Sequence, residues 1–136
     1  MKDPKYFNEL CEDKFPGLLG IKMTQVAATE VRAEMKVTKS HLAPNGYLHA
    51  GSVVSLADTS CGNGCIANLP QGASGFTTIE LKSNHLGTVY DGVIECITTP
   101  IHKGRTTQVW DATVCSKETG KKIAVFRCTQ MVLYPE

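Results

Sequence analysis

Apolar and polar residues alternate roughly in two early segments of this chain, and one long stretch further on is apolar nearly throughout. Residues 20–28 and 30–37 alternate, with Val31, Ala33, Met35 and Val37 on one side. A period of two predicts paired strands with one wet face. Residues 75–84, 92–102, 106–116 and 122–134 are rich in β-branched and aromatic residues and predict four further strands. Lys103-Gly104-Arg105 and Glu118-Thr119-Gly120 are separators short enough for hairpins. From about Leu48 to Asn68 the residues are small and apolar, with no alternation and no polar face. The stretch is too long for a strand and predicts a helix buried nearly all round. Gly62 and Gly64 weaken that helix by ~1 kcal/mol each relative to Ala, but let another backbone approach closely. Leu69-Pro70-Gln71-Gly72 stops it, and Pro44-Asn45-Gly46 marks a turn before it. Near the start, Tyr6, Phe7, Leu10 and Cys11 recur at helical spacing after Pro4. They predict a short amphipathic helix within residues 3–15, ended by Pro16-Gly17. One long helix packed on a largely antiparallel sheet of about six strands is an α+β layer arrangement.

Composition narrows the class. A chain of 136 residues is one domain's worth. Apolar residues at 42% and charged residues at 20% exclude a disordered chain and a coiled coil. Fourteen basic and thirteen acidic side chains leave a net charge of +1, which gives no general argument for binding nucleic acid. No apolar run approaches the ~18 residues of a membrane span. Met1-Lys2-Asp3-Pro4-Lys5 lacks the apolar core of a signal peptide, so the expected location is cytoplasmic. Six cysteines (Cys11, Cys61, Cys65, Cys96, Cys115, Cys128) lie scattered in apolar segments and read as buried thiols. Cys61 and Cys65 are four apart, but no neighbouring cluster completes a ligand set, and no metal is expected.

One residue breaks the apolar pattern of the helix. Asp58 lies about two turns inside it, and no Lys or Arg occurs between Lys39 and Lys82 to neutralise it locally. An isolated buried carboxylate costs several kcal/mol unless paired, hydrogen-bonded or protonated, so roughly that much must be offset elsewhere or serve a chemical purpose. A partner from a distant strand is the structural alternative.

The segment Asn45-Gly46-Tyr47-Leu48-His49-Ala50-Gly51, continued to Leu56-Ala57-Asp58, resembles the signature of hotdog-fold thioesterases of the phenylacetate-degradation and 4-hydroxybenzoyl-CoA type. Gly46, His49, Gly51 and Asp58 match it in position, and Leu56-Ala57-Asp58 matches the common Leu-Ala-Asp. The resemblance covers roughly residues 18–134 and the same order of elements, which divides the chain into an N-terminal helical segment (1–17) and a hotdog domain (18–136). Two positions depart from it. Ala50 replaces the first glycine after the histidine, and Ala43 replaces the asparagine six residues before it. At position 50 the family uses the backbone N–H, which alanine keeps. Asn45 is a candidate to replace the missing asparagine, or a turn former.

The resemblance implies hydrolysis of an acyl-CoA thioester, with coenzyme A as part of the substrate and no separate cofactor. Asp58 would act as nucleophile or general base. N–H groups of Ala50 and Gly51 at the helix start would face the oxyanion. His49 would orient that turn or touch the thioester, and Thr78 would hold the attacking water. Thr77 faces the other side of its strand. The basic turn Lys103, Arg105 and Thr106 would lie near the nucleotide of coenzyme A, where Arg and Lys suit phosphates. His41, His85 and His102 carry no motif and read as surface or structural residues. Trp110 and Tyr90 fill either the core or an acyl pocket. Two other functions remain open on this fold: a hydratase or dehydratase using His49, and a non-catalytic acyl-CoA binder.

Spacing adds an expectation about assembly. Ala50 and Asp58 are eight residues apart, or about 12 Å along a helix. One thioester carbonyl needs both groups within ~3 to 3.5 Å. The two groups serving one carbonyl are therefore expected from two chains across a two-fold axis. The resemblance implies the same homodimer, often paired into a homotetramer.

Overall fold

The structure is a computed structural model that describes residues 2–136. Helices α1 (Pro4–Cys11) and α2 (Phe15–Leu19) precede strands β1 (Ile21–Val26) and β2 (Val31–Lys36). The long helix α3 (Ala50–Ala67) follows a short 3-10 turn. Then come β3 (Gly75–His85), β4 (Val93–Lys103), β5 (Thr107–Ser116) and β6 (Lys122–Leu133). All six strands form one antiparallel sheet in the order β1-β2-β4-β5-β6-β3. This sheet wraps α3, as the hotdog resemblance implies.

Alternation decides which side of each strand faces α3. Phe126, Cys128, Gln130 and Val132 of β6 are buried, and so are Gln108, Trp110, Ala112 and Val114 of β5. Every residue from Ser60 to Cys65 in the second half of α3 is buried, and Leu56 and Ala57 just before them are buried as well. The sheet therefore closes around that half, while the first turn of the helix reaches the surface.

The N-terminal expectation needs correction. Pro16-Gly17 does not end a helix: it lies inside α2, which ends at Gly20 with φ at 77°. Proline fits a first helical turn, where its missing N–H has no role. Gly17 is required because a Cβ there would lie 2.3 Å from the carbonyl oxygens of Cys11 and Glu12. The helix α1 joins the common core through Phe7, which is fully buried. Asn8 ties it to β1 by donating to the Met23 carbonyl (3.1 Å) and accepting from the Met23 N–H (2.7 Å).

The glycines of α3 also have a different purpose from the expected one. A Cβ at Gly62 would lie 2.7 Å from the Phe76 ring, and one at Gly64 would lie 2.9 Å from Trp110. The room they leave is filled by aromatic rings of the same chain. Trp110 thus belongs to the core, fully buried, with its indole N–H donating to Gln108 Oε1 at 2.8 Å. Gln108 in turn donates to the Asn68 carbonyl (2.9 Å) and so closes the end of α3.

Candidate active site

The start of α3 is built by two histidines. His41 is buried, accepts from the Thr38 N–H (3.0 Å) and donates from Nε2 to the Leu19 carbonyl (2.7 Å). Its own carbonyl accepts from the His49 N–H (2.9 Å) and the Ser52 hydroxyl (3.0 Å). His41 is structural, and it anchors the turn that carries His49. His49 caps the helix: its Nδ1 accepts from the Gly51 N–H at 2.8 Å. In the neutral ring that leaves the proton on Nε2. A Cβ at Gly51 would sit 3.0 Å from His49 Nδ1 and press on this cap.

This cap separates the two expected oxyanion donors. The Gly51 N–H is occupied by His49, contrary to its expected part in the oxyanion site. The exposed Ala50, one residue earlier, has an N–H with no hydrogen-bond partner among the described residues. It sits at the positive end of an 18-residue helix. Ala50 and His49 line a cleft of about 400 Å³ together with Asn45, Tyr47, His85 and Thr88. Asn45 acts as a turn former, with Oδ1 accepting from the Tyr47 N–H (3.1 Å), while Gly46 takes a φ of 87°. His85, expected as a surface or structural residue, shares this cleft and contacts the Ser83 hydroxyl at 3.1 Å.

Asp58 does not line that cleft. It is half-buried in the middle of α3, and its Oδ1 accepts from the Thr78 hydroxyl at 3.0 Å. No cation pairs with it among the described residues. Burial pushes its carboxyl above the ordinary aspartate range, and the Thr78 hydroxyl pulls part of the way back. Thr78 is placed by β3, which carries a register shift just after it: Thr78 pairs with Gln130 and Glu80 with Thr129, leaving Ile79 as the extra residue. The Thr78 oxygen also lies 2.8 Å from Gln130 Oε1.

Gln130 and Gln108 are the polar residues that sequence reasoning passed over. Both are fully buried, at positions where the strand period calls for an apolar side chain. That phase mismatch was the available signal.

The basic turn lies at the other end of α3. Lys103 Nζ donates to the Ala28 carbonyl (3.2 Å) and to Asn68 Oδ1 (3.4 Å). Arg105 and Thr106 are exposed, and neither Lys103 nor Arg105 is in an ion pair among the described residues. Tyr134 donates its hydroxyl to the Arg105 carbonyl. Tyr90 is exposed and meets Tyr47 edge-on beside the helix-start cleft. The expected site residues thus fall into three groups within one chain: the helix start, the Asp58–Thr78 pair, and the turn of Lys103, Arg105 and Thr106.

One long helix held against a single six-stranded antiparallel sheet is the hotdog arrangement. The pattern of the thioesterase superfamily matches residues 45–127, and the chain belongs to that family. It is similar to the 1,4-dihydroxy-2-naphthoyl-CoA hydrolase of Listeria monocytogenes, with 31% identity over 111 residues, 82% of this chain and 89% of that one. A thioesterase from Haemophilus influenzae superposes with a TM-score of 0.92 at 29% identity, over 98% of this chain and 92% of that one. A mutant thioesterase from Pseudomonas aeruginosa gives 0.92 at 28% identity, over 98% and 95%. No helix among the described residues is long and apolar enough to cross a membrane.

Proposed function

We propose that this thioesterase hydrolyses acyl-CoA esters with Asp58 as the attacking or water-activating carboxylate. The observation that carries the reading is the state of Asp58: half-buried, without a cation, and held by one neutral donor, Thr78. Such a carboxylate is a stronger base than one in water. A purely structural or ligand-binding role would be served better without it. In this reading the Ala50 N–H polarises the thioester carbonyl, and negative charge develops on its oxygen at the positive end of α3. His49 then holds the turn and is not the reacting group, which favours hydrolysis over a histidine-centred hydration.

The two groups come from two copies of the chain. One helix separates them by about 12 Å, and antiparallel α3 helices across a two-fold axis bring each Asp58 to the other chain's Ala50. Strand β3 supports this reading, because it ends the sheet on one side and carries Ile79 and Leu81 at 52% and 41% exposed. Apolar edge strands of this kind pair with a second copy readily. The phosphates of coenzyme A would lie at Lys103, Arg105 and Thr106, whose two cations have no acidic partner among the described residues. The substrate of the Listeria relative is an aromatic acyl-CoA, which makes aryl-CoA esters the first candidates here.

The test is release of free thiol from aryl- and alkyl-CoA esters by the wild type and by Asp58→Asn. The expected result is turnover by the wild type and a loss greater than tenfold, ~1.4 kcal/mol of barrier, in the variant. Binding without turnover would favour a non-catalytic role. Water addition to an enoyl-CoA without thiol release would favour a hydratase.

A further inference from the structure

Behind Thr78 the hydrogen bonding does not stop. Gln130 is fully buried on β6 and places its amide between the Thr78 oxygen, 2.8 Å from Oε1, and Cys128 Sγ, 3.4 Å from Nε2. The Thr78 oxygen is also 3.0 Å from Asp58. A hydroxyl has one proton, so Thr78 donates to Asp58 or to Gln130, never to both. We propose that Gln130 is a positioning residue that sets, through the Thr78 hydroxyl, which charge state of Asp58 the site favours. This rests on the reading of Asp58 as the working carboxylate, but the coupling itself is a property of the hydrogen-bonded chain.

Both protonation states can be satisfied because every member of the chain can reverse. With Asp58 charged, Thr78 donates to it. The Gln130 amide then turns its NH2 towards the Thr78 oxygen, and Oε1 accepts from the Cys128 thiol. With Asp58 protonated, its O–H donates to Thr78, Thr78 donates to Gln130 Oε1, and the amide NH2 falls on the Cys128 sulfur. A thiol is a weak donor and a weak acceptor, so it serves as the end of the chain in either direction. The proton taken up by Asp58 stays on the carboxyl, and the remaining members change only the direction of their bonds.

Few other groups bear on this carboxyl. On β3 the charged neighbours are Glu80 and Lys82, and on β6 Arg127; all three are exposed, and Arg127 is engaged by Asp111. On α3 the titratable neighbours are the Cys61 and Cys65 thiols, which burial holds in the neutral form. Cys128 is the titratable group at the end of the chain itself. The direction of the Thr78 bond is therefore the main protein lever on Asp58 beyond burial.

Removing the amide should act unequally on the two states. In Gln130→Met the charged form still receives the Thr78 proton and leaves only an oxygen lone pair unused. With its O–H turned to Thr78, the protonated form leaves the half-buried Thr78 proton without an acceptor, and with that O–H turned away Thr78 keeps only a weaker bond to the neutral carbonyl oxygen, so this form bears the larger cost. Asp58 should therefore titrate lower, by roughly half to one pH unit.

The measurement is the titration of the Asp58 carboxyl by carbon NMR in four proteins: wild type, Gln130→Met, Thr78→Val and the double variant, with the pH profile of kcat/KM alongside. The expected result is a downward shift in Gln130→Met that vanishes in the Thr78→Val background. Gln130→Asn, whose shorter side chain no longer reaches Thr78, gives the same shift and serves if the Met variant does not fold. An unchanged or raised Asp58 titration, or a shift that persists without the Thr78 hydroxyl, overturns the proposal whatever the activity. If the NMR titration shifts as expected while the acid limb of kcat/KM does not follow it, the coupling stands and the catalytic reading of Asp58 fails.

Discussion

Ala50→Pro is an unusually clean subtraction of the hydrogen-bond donor proposed to face the oxyanion. Ala50 is the first residue of α3, and its N–H has no partner among the described residues. Proline is favoured at the first helical position because the missing N–H is not needed there. It restricts the preceding residue to extended backbone, and His49 already sits at φ −69° and ψ 134°. The adjoining cleft leaves space for the ring. Stability should therefore change by less than about 1 kcal/mol, with a gain as plausible as a loss. Activity should not survive so well. Loss of one oxyanion donor typically lowers kcat by about 10² to 10³, or ~2.7 to 4 kcal/mol. The contact strengthens only as charge develops on the oxygen, so the fall should appear in kcat with KM little altered. The assay is steady-state thiol release beside thermal melting. A variant that melts like the wild type and retains kcat within tenfold refutes the role given to Ala50. The neighbouring Gly51→Ala supplies the contrast: its Cβ would press on His49 and disturb the cap, lowering stability by about 1 kcal/mol.

Thr78→Val removes the one hydrogen bond that favours the charged form of Asp58, so the carboxyl should titrate roughly one to two pH units higher. In the proposed mechanism the charged form is the active one, so the acid limb of kcat/KM should move to higher pH; an unmoved limb counts against the pair. Burial has raised Asp58 in the folded protein, so the charged form opposes folding at neutral pH and the protonated form does not. Asp58→Asn should therefore melt higher than the wild type at pH 7, with the difference disappearing in acid as pH falls below the unfolded carboxyl's range. Gly64→Ala should destabilise by about 1 to 3 kcal/mol despite the better helix propensity of alanine, because the buried Trp110 is pinned by Gln108; Gly62→Ala should cost less, since Phe76 is only half-buried. Equal urea midpoints for the two would contradict this packing. Arg105→Ala should raise KM for CoA esters and leave a pantetheine thioester unaffected; equal harm to both substrates removes Arg105 from the nucleotide site.

The periods of the chain made most of the fold legible. Alternating burial in β2, β5 and most of β6, and one helix without a polar face, are direct consequences of residue spacing. Asp58 was visible because a carboxylate in an apolar helix is costly, and the helix start was visible from its histidine and glycines. Other features depended on contacts between distant segments. Pro16-Gly17 reads locally as a helix breaker, yet proline suits the first turn of α2, and Gly17 answers to the carbonyls of Cys11 and Glu12. Gly62 and Gly64 answer to Phe76 and Trp110, which come from strands far along the chain. The extra residue at Ile79 follows from the register of β3 on β6, which no single strand's pattern encodes. Gln130 looks like a fault in an apolar phase until Thr78 is placed opposite it.

The shared site is the centre of this account, and subunit mixing tests it most directly. Asp58→Asn and Ala50→Pro chains, each expected to be strongly impaired alone, are combined and allowed to exchange. Each mixed dimer then holds one site with both an intact Asp58 and an intact Ala50 N–H, and one site with neither. With random exchange, about half of the dimers are mixed, and each carries one of its two sites intact. The predicted result is recovery to about a quarter of wild-type activity. Heterodimers verified by mass that show no activity beyond their parents would contradict the account, as would a fully active monomer.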